Sequence, residues 1–526
     1  MAGTAAVTAL VQLCVLTGAA GPAAAAGPGG RSGSEGPRQP WTVNDSSHRP
    51  GAGAPPVWGA CPQQEPGPAP VERDPRQQCA QLAVPLDYRR PHGRQIRLEI
   101  SRIRSGAAHP LALMIGQGGP GFGGLDLPSQ EERALPAAVT ARFDLYGLDY
   151  RGIGASSPLD CGIAPADRTE VTGIPYPAAD GDISGTVAWA RRVAHDCAAD
   201  AGPELPYVST VNIARDIDRV RQALGLRTLS YTGVSYGSYV GAVYTSLFPT
   251  TSGRVLLNSV VPPGGVRDAI RHKGEAVESA FTPFARWAAD QDADYHLGAT
   301  PEAVRRFVLA TAGALDTDPL PLPDGPALTG NLLLEAQEVL LEQTAYWPVL
   351  ARLLAGAHAR SLPAGTGSSL PWAAEMTDNF VAAQDAVVCN DVAWPRSLAG
   401  YRADVSRSAE RYPLTAGSPR NVWPCAFWST PAPDRAPDLN PHGPANILLV
   451  QNTADPSTAA SGAERTRAAF GHRAGMVTVD AAGHGVDTSR GCVGDAVTRF
   501  LLGHGTPRSG ACPAQDAGPA PAAGRY

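Results

Sequence analysis

Gly233-Val234-Ser235-Tyr236-Gly237 follows an apolar run over 229–234 and opens a segment, 238–248, that reads as a helix. A strand that turns sharply into a helix holds its corner residue in a strained backbone state. Glycines two positions either side leave space that side chains would fill. A serine at such a corner presents its hydroxyl as a nucleophile. With 58 glycines in 526 residues, a chance G-x-S-x-G is expected at a rate of roughly a few tenths, so the surroundings must carry the reading.

Upstream of the corner, strand-like runs fall at 82–88, 95–103, 111–115, 143–148 and 228–234, with a helix of apolar spacing over 211–224. Downstream, 254–261 reads as another buried strand. Strands alternating with helices predict an α/β fold with a mostly parallel, doubly wound sheet whose reactive groups sit at the carboxyl ends of strands. Regularity lapses from about 262 to 444, where a mainly helical segment carries Trp287, Trp347, Trp372 and Trp394. It reads as a cap inserted into the sheet. The sheet pattern resumes with strands at 446–450 and 476–479 and helices at 459–470 and 493–502.

The ends differ in composition from the middle. Residues 1–26 read as a signal peptide, with an apolar run over 7–16 and Ala24-Ala25-Ala26 as the cleavage site, although no Lys or Arg precedes Arg31. Residues 27–57, rich in Gly, Pro and Ser, cannot repay ordering entropy and read as a flexible leader. The organisation expected is therefore a core in two parts, 58–261 and 445–512, a cap over 262–444, and a flexible tail over 513–526. Loss of the signal removes Cys14 and leaves Cys61, Cys79, Cys161, Cys197, Cys389, Cys425, Cys492 and Cys512. An even count in an exported chain favours disulfides. Their order falls into four neighbouring couples, 61 with 79, 161 with 197, 389 with 425 and 492 with 512; free buried thiols are the alternative.

Formal net charge is −6, with no Lys/Arg run and Lys273 as the only lysine. Phosphate binding needs concentrated positive charge, so nucleic acid is excluded as a partner. No CxxC or HExxH occurs, and neither a metal nor another cofactor is expected.

A serine hydroxyl needs a base within reach and an acid to orient that base. Asp455 follows the strand at 446–450, and His484 follows the strand ending at 479. Singly, Ser235 could be a turn residue, Asp455 a capping carboxylate and His484 a surface histidine. Together they stand after strands in the order Ser, Asp, His, the order of α/β hydrolases. His472 and His504 are rival histidines, but both fall in or beside helices. Directly after the strand at 111–115 lies Gly116-Gln117-Gly118-Gly119-Pro120-Gly121. Acyl transfer needs two N–H donors where negative charge develops; Tyr236 N–H supplies one, and Gly118, with Gly119 as close rival, the other.

With these residues the chain resembles the secreted α/β-hydrolase peptidases of the tripeptidyl and prolyl aminopeptidase type, which carry a TAP-like C-terminal region. The resemblance runs from about Cys61 to Cys512. It rests on the GGPG of 118–121, on Asp149-Tyr150-Arg151-Gly152-Ile153-Gly154-Ala155-Ser156, on the elbow, and on the Asp455 and His484 loops. Gln117 stands where relatives commonly have His or Pro, and Asn258-Ser259 where an acidic residue is frequent. The resemblance implies a secreted serine exopeptidase acting on peptide substrates with free amino termini, through an acyl-enzyme on Ser235. Such an enzyme must hold a protonated amine against a desolvated carboxylate. Glu275, Glu278, Glu335, Glu338, Asp385 and Asp391 are the candidates, and the sequence does not choose among them. An esterase is the alternative, since the same triad serves esters; a non-enzymatic binding protein on this scaffold is a third reading, against which the intact triad argues. No stable membrane association is expected. The sequence leaves open the oligomeric state and the number of residues released.

Overall fold

The computed structural model describes residues 55–64, 71–168, 174–323, 325–369, 376–429 and 432–514. The expected signal peptide, nearly all of the leader, most of the tail and Trp372 lie outside the described residues.

Nine strands form one sheet: β1 (Gln78–Pro85), β2 (Gln95–Ile103), β3 (Leu111–Gly116), β4 (Phe143–Leu148), β5 (Leu229–Val234), β6 (Ser252–Asn258), β7 (Ile447–Ala454), β8 (Ala474–Ala482) and β9 (Gly510–Cys512). Their order is β1-β2-β4-β3-β5-β6-β7-β8-β9. β2 pairs antiparallel with both β1 and β4, and every other pairing is parallel. The central strands are largely buried, as parallel strands covered by helices on both faces are. β4 is buried at every position, and so are the first six residues of β7. This is an α/β-hydrolase fold, with β3, β5, β7 and β8 all ending on the same edge.

Two differences from the sequence reading have a physical cause. β8 runs on to Ala482, past the expected end at 479, because Ala454 of β7 pairs with Ala482 after a register shift. β9, which has only three residues, is too short for a period to show; β8 supplies its pairing and Cys512 ties it to Cys492. The other disulfides join Cys61 to Cys79, Cys161 to Cys197 and Cys389 to Cys425.

Residues 262–444 contain no named strand among those described. Packing divides the segment. Side chains from Val277 to Ala357, with Leu414, form a hydrophobic cluster of their own around Phe281, Phe284 and Leu350. Side chains from Met376 to Trp428 instead join the cluster beneath the sheet, and the disulfide Cys389–Cys425 lies within that part.

Candidate active site

Ser235 directly follows β5 and precedes the helix Tyr236–Leu247, with φ 57° and ψ −126°. Local contacts impose this left-handed corner. The Ser235 N–H donates to the Asn258 carbonyl at 3.0 Å, and the Ser238 N–H donates back to the Ser235 carbonyl at 2.8 Å. A Cβ on Gly233 would stand 2.6 Å from the Gly237 backbone, and one on Gly237 would stand 2.7 Å from the Gly116 carbonyl. Both positions therefore exclude any side chain, and the elbow is pressed against the end of β3.

Asp455 is the first residue after β7. Its carboxylate accepts from the backbone N–H groups of Ser457 and Thr458, both at 2.8 Å, and from the Thr458 hydroxyl at 2.9 Å. His484 lies two residues beyond β8, with Nδ1 3.0 Å from both Asp455 oxygens. Both side chains are buried. Burial works to raise the Asp455 pKa, but the facing imidazole and the donated hydrogen bonds outweigh it and hold the carboxyl below its ordinary value. Burial works to lower the His484 pKa; the Asp455 charge outweighs it and raises the imidazole above its ordinary value. The Nδ1 contact leaves Nε2 as the nitrogen that could take a proton.

Ser235 and His484 line one cleft together with Tyr236, Gly118 and Gly119. The N–H of Gln117 is already given to the Tyr150 hydroxyl at 2.9 Å. A backbone donor that this loop turns to the cleft therefore comes from beyond Gln117.

The motif over 149–156 serves the frame of this site. Asp149 is buried and accepts from the N–H groups of Gly124, Leu125 and Ala155, at 2.6, 3.1 and 2.9 Å, fixing the loop that follows the glycines. Burial pushes its carboxyl up to about 6. Arg151 makes a buried ion pair with Asp216 at 2.6 Å and also donates to the carbonyls of Pro85 and Leu86. Asn258 and Ser259, unusual in the sequence, brace the histidine loop. The Asn258 amide exchanges hydrogen bonds with the Val486 backbone, both at 2.9 Å, and the Ser259 hydroxyl accepts from the Gly485 N–H at 2.8 Å. The rival His472 is exposed, its ring against the Gly443 carbonyl.

The six carboxylates named for amine recognition do not line this cleft. Glu275 accepts from the Ser461 hydroxyl, and Glu278 pairs with Arg305. Glu335, Glu338 and Asp385 are buried on faces of their helices that pack inward. Asp391 accepts from the Thr210 N–H at 2.8 Å. The cleft carboxylate is Glu342, just past the helix Gly330–Leu340, which accepts from the Ser457 hydroxyl at 2.6 Å. Lys273 is the cleft cation. It closes a stripe of Val266, Ala269 and Ile270 on the helix Gly265–Asp290, and Glu275 and Glu278 lie off that stripe. An apolar stripe ending in the only lysine of the chain was a signal available in the sequence. Glu342 had none, because a helix end and a contact across the molecule place it.

A family described as TAP-like protein matches residues 413–513. The tripeptidyl aminopeptidase of Streptomyces coelicolor is 33% identical over 451 residues, covering 82% of this chain and 81% of its own length. Serine protease Hip1 of Mycobacterium tuberculosis is 27% identical over 463 residues, covering 82% and 86%. Carboxylesterase B of the same organism is 28% identical over 456 residues, covering 81% and 84%.

Proposed function

The chain belongs to the family of the Streptomyces tripeptidyl aminopeptidases and is a serine hydrolase, and from that premise we propose that it is an exported aminopeptidase releasing tripeptides from free amino termini. In this reading Ser235 attacks the scissile carbonyl while His484 Nε2 accepts its proton, and Asp455 fixes the imidazole tautomer and offsets the charge that forms. The N–H groups of Tyr236 and of Gly118 or Gly119 receive the oxyanion. His484 then returns the proton to the departing amine, and water hydrolyses the acyl-enzyme by the same steps in reverse order of partners. The four disulfides support export, since such bonds persist in oxidising compartments.

One observation carries the choice of substrate: Glu342, a carboxylate, stands in the wall of the cleft that Ser235 and His484 line. A carboxylate there suits a protonated amine and is wasted on a neutral ester. Turnover of a tripeptidyl anilide should fall at least about tenfold on N-acetylation. Glu342→Gln should raise KM for the free-amine substrate by about ten- to a hundredfold, the worth of a charge-assisted hydrogen bond. Equal turnover of free and acetylated substrates would overturn this reading. It would favour an esterase instead, the reading that the apolar stretch of the wall at Val261, Val266 and Ile270 supports.

A further inference from the structure

Lys273 is the only lysine in 526 residues, is 8% exposed, and sits in the cleft wall. An ammonium carries three donors. Among the described residues, one goes to the Ser457 hydroxyl at 3.0 Å. The nearest carboxylate, Glu338, makes an ion pair through Oε2 at 3.8 Å, beyond hydrogen-bond distance, while its Oε1 accepts from the Tyr176 hydroxyl at 2.6 Å. Burying an ammonium with donors to spare is costly unless something else accepts from them. The packing does not require a cation here, since Val266, Ala269 and Ile270 complete the stripe with apolar groups.

The position of Lys273 relative to Glu342 narrows the acceptor. Both are bonded to the one Ser457 hydroxyl, at 3.0 and 2.6 Å, so they stand no further apart than those two bonds laid end to end. Each extended residue advances about 3.3 to 3.6 Å. Two groups this close can both reach neighbouring atoms of one residue. An anionic acceptor is disfavoured, because Glu338 and Glu342 already flank the lysine with negative charge.

We propose that Lys273 is a specificity-determining residue that donates to the main-chain carbonyl oxygen of the substrate's N-terminal residue, while Glu342 holds the ammonium of that same residue. Ser457 keys the two together. Its own N–H donates to Asp455 at 2.8 Å, so this clamp is built on the loop that carries the candidate catalytic acid. The inference rests on the aminopeptidase reading and adds to it a second recognised group, a neutral carbonyl oxygen.

The test uses tripeptidyl anilides whose first peptide bond is either an ordinary amide or a thioamide, sulfur being the poorer acceptor. The wild-type enzyme should prefer the oxygen compound by about tenfold in kcat/KM, as expected for one hydrogen bond from a charged donor. Lys273→Met, similar in length and without donors, should bring that ratio to about one, and Lys273→Arg should restore much of it. A purely structural role would lower both substrates alike and keep the ratio. A wild-type ratio near one overturns the proposal even if neither variant folds. A wild-type preference that persists in Lys273→Met overturns it equally. The failure of the aminopeptidase reading is read separately, from wild-type enzyme turning over the N-acetylated amide as fast as the free one.

Discussion

The sheet edge and the cap wall that faces it meet in one cleft but are specified in different ways. On the sheet, each candidate catalytic group stands one or two residues past a strand: Ser235 after β5, Asp455 after β7, His484 after β8. Parallel pairing brings those strand ends to one edge, so backbone hydrogen bonds set where the side chains start. In the cap wall, Lys273 and Glu342 arrive from a helix face and a helix end, and one serine hydroxyl from the sheet side joins them. Chemistry thus depends on ladder register and recognition on side-chain contacts. The two regions also touch, since the His484 N–H donates to the Glu342 carbonyl at 2.8 Å.

The comparison is tested most severely at the elbow. Ser235→Ala should abolish hydrolysis of both an anilide and a short-chain ester, with residual rates at least about three orders of magnitude down. The urea unfolding midpoint should stay near that of the wild type, since only a hydroxyl is lost. A variant keeping a tenth of the wild-type rate on either substrate would remove Ser235 from the chemistry.

The pH dependence probes the same edge with a smaller effect. His484 must be neutral to accept a proton, and Asp455 raises its pKa above the ordinary histidine value of 6.5. Activity should therefore rise about tenfold per pH unit below that raised pKa and level off above it. The midpoint should lie above 6.5, because the Asp455 charge, with a smaller contribution from Glu342, outweighs burial and the opposing charge of Lys273. A midpoint below 6.5 would mean that burial outweighs the Asp455 charge at His484.

The smallest effect belongs to the cap side and concerns stability. Asp385, on the helix Asp378–Asp391, is buried with one carboxylate oxygen unpartnered among the described residues, and burial pushes its pKa up to about 8. A carboxyl whose folded pKa lies above its unfolded value favours folding when protonated. The wild-type protein should therefore lose stability as pH rises from the ordinary carboxyl range through 8. Asp385→Asn lacks that loss. Its gain over wild type should be small at pH near 4 and on the order of a few kcal/mol at pH near 8, by urea unfolding at the two pH values. An equal gain at both would show that the carboxyl does not titrate in the fold.

Much of the sheet was legible because its signals are short in range. Apolar runs of five or six residues, a G-x-S-x-G corner and glycine-rich turns are written in adjacent positions, and the order Ser, Asp, His follows the order of the strands. The short β9 and the extension of β8 were not, since each depends on a partner strand. The role of Asn258-Ser259 was also hidden, because the backbone it braces lies more than two hundred residues away.

The sequence by itself determined the kind of fold, the residues at its reactive corners and the neighbouring order of the eight cysteines, because each is a matter of local pattern or chain order. Only the tertiary structure decided which charges face the cleft. Six carboxylates in the cap looked equivalent along the chain, and packing left none of them in the lining of the cleft. Packing brought Glu342 and Lys273 to the wall in their place. A charged residue on a helix carries no mark of the direction it will face, and that direction is fixed only when the helix is packed against its neighbours.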